Sequence, residues 1–277
     1  DERFNILNPD SLDKYLQQRQ KIEIVEIVDG VKYDIATHYL KEWSTTKGVI
    51  STFTCQDIIG VMDTTTFVGN LYVNETVGNI IDEIMSDFGF DDYYVSDEIR
   101  DKRLSGVISP CSHREAIQQV MFACGGVADT SRISGINFYR LSHSTSTMVL
   151  KDRIFQSPQY TITQGDLVTG VTVKAHEFIR NTEAVEVYKG TLNAGTYKIL
   201  YDDPCVTIGG DNYTVVDSRY YWASINVPND NSEVSINGFK YEDYTLEYTL
   251  DLEELPAGAI LNRKEVSDAT LISKNNV

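Results

Sequence analysis

The sequence predicts a mainly β protein of the α+β kind, in which antiparallel β regions at 1–66 and 156–277 flank a small inserted α/β module at 67–155 containing two helices. Three observations predict it. Long stretches alternate apolar and polar residues with period two. Helical three- and four-residue spacing is confined to the middle of the chain. The composition favours tyrosine, threonine, valine and isoleucine, with 17 tyrosines among 277 residues, side chains that suit half-buried pleated surfaces. With 42% hydrophobic residues and only 6 prolines, there is apolar material for one large domain or two or three smaller ones.

Residues Lys21–Val28 alternate charged and apolar side chains and stop at Asp29-Gly30, a dipeptide that favours a tight hairpin turn. Residues 31–35 resume the alternation, and 39–43 and 49–55 supply two more strands, so the first region reads as an antiparallel meander. From Phe67 the period changes. Val77, Ile80, Ile81, Ile84, Met85 and Phe88 form one apolar helical stripe. Asn74 or Thr76 can cap its start, and Gly89 stands where a left-handed residue closes a helix. Ser112-His113-Arg114-Glu115 opens a second helix, because the serine hydroxyl and the glutamate carboxylate can each satisfy an orphan backbone amide of the first turn. Its inward face is Ala116, Ile117, Val120, Met121 and Cys124, and Gly125-Gly126 ends it. Residues 127–132 and 136–141 read as a pair of strands, followed by a polar stretch at 142–147.

From about Tyr160 the strand period returns, with strands at 171–175, 184–188, 196–200, 213–216, 232–239 and 241–250. Asn237-Gly238 predicts a turn between the last two. Short strands at regular intervals suggest a barrel or a sandwich. No internal repeat or low-complexity tract interrupts them.

The formal net charge is −17, from 41 acidic against 24 basic residues, without a run of lysines or arginines. Phosphate-backbone binding needs cations that displace counterions, so tight nucleic-acid binding is excluded. An acidic lining does suit a conduit through which DNA slides without sticking. No apolar run approaches the ~20 residues of a membrane span, and the N-terminus lacks a secretory pattern. The sequence begins with Asp1 and ends without a compositional close, so trimmed ends and a longer parent chain are expected. Cys55, Cys111, Cys124 and Cys205 show no paired spacing and read as small hydrophobes in a reducing compartment.

No catalytic, cofactor or metal site is expected. His38, His113, His143 and His176 stand at no ligand spacing from one another or from a cysteine. His113, near Cys111, reads as an exposed helix-start residue. The doublets Asp91-Asp92 and Asp202-Asp203 offer carboxylates, but a glycosidase needs a pair ~5–9.5 Å apart across the scissile bond, and both doublets fall at turns, where aspartate serves the backbone. Residues 208–212, Ile-Gly-Gly-Asp-Asn, read as a hairpin turn. Cys124 sits at a helix C-terminus, where the dipole disfavours a thiolate. Tyr220-Tyr221-Trp222 with Tyr241, Tyr244 and Tyr248 suit a sugar-stacking platform, or else a barrel core or a subunit interface.

The order of these elements resembles the baseplate-hub and tail-associated proteins of phages, phage-derived bacteriocins and contractile injection machines. Residues 4–150 carry most of the likeness. Residues 4–9 with Tyr15-Leu16 look like the opening of the hub's first tube-type barrel, and 52–63 look like its hand-over to the inserted module. Within the module, Thr76-Val77 through Phe88-Gly89, then Ile108-Ser109-Pro110 leading to 112–119, Ala123-Cys124-Gly125-Gly126 and 129–132, are similar to the family's helix, glycine turn and strand. Residues 170–175 look like the first strand of its second barrel. The resemblance implies two tube-type antiparallel β-barrel domains per subunit and a homotrimer whose pseudo-sixfold ring mates a tail tube to the tip. It further implies a place in the virion tail, with tail-tube and baseplate proteins as partners and no enzymatic activity. The competing expectations are a carbohydrate- or cell-surface-binding β protein and the scaffold part of a tail-associated cell-wall hydrolase.

Overall fold

The computed structural model describes residues 10–46, 50–131, 134–140, 167–254, 258 and 260–274. The segment at 4–9, Val49, Arg132, Leu141, the polar stretch at 142–147 with His143, and the return of strand period near Tyr160 lie outside the described residues. The protein is mainly β, with curled sheets that include a half-barrel.

A 3-10 turn (Leu12–Tyr15) precedes β1 (Lys21–Val28), β2 (Val31–Thr46) and β3 (Ile50–Gln56), an antiparallel meander in the order β1-β2-β3. Asp29 and Gly30 both take positive φ, 52° and 81°, so the first hairpin closes on the two-residue turn whose twist matches the strands. The two strands predicted at 31–35 and 39–43 are one, because β2 runs through both with a register shift beside Leu40.

The module follows. Its elements are α1 (Ile58–Met62), β4 (Thr66–Phe67), β5 (Asn70–Thr76), α2 (Val77–Phe88), β6 (Tyr93–Val95), α3 (Asp97–Arg100), β7 (Arg103–Ile108), β8 (Cys111–Ser112), α4 (His113–Cys124), β9 (Gly126–Asp129) and β10 (Ile136–Arg140). The two predicted helices are α2 and α4, and two single-turn helices accompany them. Thr76 Oγ1 accepts from the Asn79 amide at the start of α2, and Gly89 takes the left-handed conformation at its end. At α4 the capping box is complete, with Ser112 Oγ accepting from the Glu115 amide and Glu115 accepting from the Ser112 amide, each at 3.1 Å. Replacing Ser112 by alanine orphans one of these donors, and an equilibrium denaturation curve should show a loss of about 1 kcal/mol. The stripes of both helices meet in one core with Phe67, Val95, Leu104, Ile108, Ile136 and Phe138.

The remaining strands are β11 (Gly170–Arg180), β12 (Val185–Leu192), β13 (Gly195–Leu200), β14 (Cys205–Ile208), β15 (Thr214–Arg219), β16 (Trp222–Val227), β17 (Ser232–Asp251) and β18 (Arg263–Val266). The predicted turn at Asn237-Gly238 is absent, and β17 runs straight through it for 20 residues. A Cβ on Gly238 would lie 3.1 Å from both Cys205 Sγ and Val206 O. That glycine therefore lets β14 approach closely rather than turning the chain. Strands β11 and β12 pair in succession with the two halves of β17, giving a long ribbon. Sheet β13-β16-β15 packs on the β12 half through Ile199, Tyr201, Ala223, Ile225, Val234 and Ile236.

After β18 the chain returns to the module. Leu271 is 1% exposed within the helical core, and the Val107 amide donates to Thr270 O. Gly106, at φ 143°, makes room: a Cβ there would stand 2.0 Å from Thr270 O. His176 ties the same segment to the ribbon, with Nδ1 2.8 Å from Asp243 Oδ2 and Nε2 3.1 Å from Ser267 O.

Candidate functional site

Chemically capable side chains converge where the β13-β16-β15 sheet faces α2. Strands β15 and β16 form a hairpin with Arg219 opposite Trp222 and Tyr220-Tyr221 at its tip. The tip is wedged into the module. Tyr221 is buried beside Leu71 and Val107, and the Tyr201 and Cys205 amides donate to the Tyr221 and Tyr220 carbonyls at 2.9 and 2.8 Å. Tyr220 packs edge-on against Tyr241 with centroids 5.6 Å apart. Tyr244 instead stands exposed on β17 and donates to Glu242. The tyrosines and Trp222 thus do not form one platform, because paired strands bury Tyr221 and leave Trp222 on the opposite face of the sheet.

Residues paired across antiparallel strands share a face, so the outward rows here are Lys198–Ser224–Asp217 and Leu200–Trp222–Arg219. On α2, Glu83, Ser86 and Asp87 share a face through their three- and four-residue spacing. Together these groups enclose a pocket of about 430 Å³, lined by Glu83, Ser86, Asp87, Lys198, Asp217 and Trp222 among others. Arg219 also borders an adjoining pocket of about 320 Å³.

Much of the charge is already engaged. Arg219 is ion-paired with Glu83, whose two oxygens also accept from Asn70 Nδ2 at 3.0 and 3.2 Å. Behind Glu83, the buried Tyr72 hydroxyl has no hydrogen-bond partner among the described residues. Burial and the Glu83 carboxylate hold its phenol far above the usual tyrosine range. Asp87 Oδ2 is 3.1 Å from His113 Nε2. The Thr65 hydroxyl donates to Met62 O, so at its 2.9 Å contact with His113 Nδ1 it is the acceptor. His113 is not the exposed helix-start residue expected; it is 3% exposed and lies between the rings of Phe67 and Phe88. Lys198 Nζ sits 4.3 Å from the Trp222 ring centroid, with no carboxylate at ion-pair distance among the described residues.

The acidic doublets do not converge. Asp92 accepts from Ser134 Oγ in the loop before β6, whereas Asp203 pairs with Lys240 at 2.8 Å. Residues 208–212 form the expected turn, closed by a bridge between Gly210 and Tyr213. Among the described residues no group of three or more histidine, cysteine or carboxylate side chains could hold a metal, and no helix is long and apolar enough to cross a membrane. All four cysteines are free thiols. Burial pushes Cys205 up to about 11, and burial with the Glu115 charge does the same to Cys111. At pH 8 roughly a thousandth of either is thiolate. Iodoacetamide should therefore label both far more slowly in the native protein than after unfolding, as read by peptide mass spectrometry.

No family model, curated protein or solved structure matches the chain.

Proposed function

We propose that the chain is a structural subunit of a phage or phage-like tail tip, of the baseplate-hub type. Its role is mechanical, as a homotrimeric ring that joins tail tube to tip and has no catalysis of its own. What supports an assembling role is the pair of open sheets whose apolar faces meet solvent. On the β1–β2 hairpin, Ile22, Ile24, Val28, Val31, Tyr33 and Ala36 share one face, with Glu26 and His38 among them, yet Val31 and Tyr33 are 53% and 51% exposed. The opposite face carries the Lys21–Glu23 and Lys32–Asp34 ion pairs.

The β11–β17 ribbon repeats the pattern. Val171, Val173 and Ala175 share a face with Leu250, Tyr248 and Leu246, and Leu250 is 62% exposed. Exposed apolar side chains grouped on a sheet face mark an interaction face, and open strand edges call for pairing or cover. Neighbouring copies in a closed ring supply both. The net charge of −17 suits a ring through which DNA passes.

Native mass spectrometry and light scattering of the purified chain should give three copies, with dissociation on Tyr33→Asp together with Leu250→Asp. A strict monomer at high concentration would overturn the ring. Isolated cell walls should keep their turbidity in its presence, and clearing would instead favour a hydrolase.

A further inference from the structure

The pocket between α2 and the β13-β16-β15 sheet is lined by residues other than those of the two apolar sheet faces. We propose that it binds a neutral pyranose sugar, with the Trp222 indole against the C–H face of the ring and Asp217, Ser86 and Lys198 taking its hydroxyls.

Three features single out that chemical class. First, the lining mixes acceptors (Asp217, Asp87), donors (Lys198, Arg219) and a hydroxyl that is both (Ser86) around one aromatic face, which is what a polyol with an apolar ring face requires. Second, the charges select against anions: three carboxylates, Glu83, Asp87 and Asp217, stand against two cations, Lys198 and Arg219. Since Arg219 is already committed to Glu83, no cation pair remains to hold a phosphate, sulfate or uronate. Third, the volume of about 430 Å³ falls within the range of small-molecule sites, with room for a mono- or disaccharide.

The walls are built rather than incidental. Asn70 and Arg219 fix Glu83, and His113, itself held by Thr65, fixes Asp87. Gly69 completes the rim at φ 88°, where a Cβ would come 2.4 Å from Ile108 O. Lys198, held over the indole without an ion-pair partner among the described residues, can swing aside. Sugar binding would then replace its cation–π contact with C–H packing and bring the ammonium to a ring hydroxyl.

The chain has two tryptophans, Trp43 and Trp222, so the Trp43→Phe variant leaves Trp222 as the only indole reporter. Titration of that variant with oligosaccharides of glucose, galactose and N-acetylglucosamine, alongside sialylated and uronic-acid counterparts, should give a saturable fluorescence change with a neutral member only. In the otherwise native chain, Trp222→Ala should weaken capture on an array of the same glycans by about tenfold or more. Asp217→Asn and Ser86→Ala, at positions outside the core, should weaken it with unchanged melting temperature, which separates loss of contact from loss of fold. Failure of every neutral sugar at millimolar concentration, capture that survives all three substitutions, or capture of the anionic sugars alone would each overturn the proposal. None of these results depends on the number of copies in the particle, and the three variants should leave that number unchanged.

Discussion

Phe138→Ala is expected to remove about 3–5 kcal/mol of folding stability, a large share of the ~5–15 kcal/mol that holds a domain together. Phe138 is fully buried at the centre of the module. Its strand β10 pairs in parallel with β6 and antiparallel with β9, and its ring meets Tyr93 edge-on with centroids 6.2 Å apart. Its carbonyl also accepts from the Ser96 amide ahead of α3. Truncation leaves a cavity among side chains fixed by two helices and three strands, which cannot collapse far. Urea denaturation of the variant should show a lowered midpoint with an unchanged slope, and Phe138→Leu, which refills most of the volume, should recover much of the loss. A cost under about 1 kcal/mol would mean that the module does not close around this ring.

Gly106→Ala should be comparably severe, at about 3–5 kcal/mol, for a different reason. The position combines a φ that L side chains rarely adopt, worth about 1–3 kcal/mol, with a backbone oxygen, Thr270 O, 2.0 Å from the added carbon. Neither partner is a flexible side-chain tip. Relief requires the 270–273 segment to lift away, which also exposes Leu271, a further ~1.5–3 kcal/mol. Limited proteolysis should then cut within residues 267–274 of the variant while sparing them in the parent. If the segment stays protected and stability falls by less than about 1 kcal/mol, the segment does not seat where the structure places it.

What was legible in the sequence was whatever neighbours in the chain decide. The α2 stripe, its Thr76 cap, the Ser112 capping box and the Asp29-Gly30 hairpin depend on residues within four or five positions, and each stands as predicted. The mainly β class follows from the same local periodicities. Long-range events were opaque. Asn237-Gly238 carries a turn signal, but the close passage of β14, some 30 residues earlier, makes the glycine a spacer in one long strand. His113 reads as a solvated helix start because its partners, Thr65, Phe67 and Asp87, come from other elements. The site was half visible: Trp222 stood out as a surface aromatic, whereas the α2 carboxylates facing it are about 136 positions away and nothing local links them. Nor did β14, β18 or the return of Leu271 to the helical core leave a periodic trace, since each is a strand or segment too short to show one.

That return has a consequence for how the molecule is made. The helical core receives one of its buried side chains from residue 271, more than a hundred residues after its other contributors. During synthesis those contributors leave the ribosome first and wait with an apolar gap where Leu271 will sit. Closing it requires a very large loop, which slows the last step and leaves a sticky intermediate until the final strand arrives. A nascent chain stalled before β18 should therefore recruit chaperones, and one released a few residues past Ser273 should not.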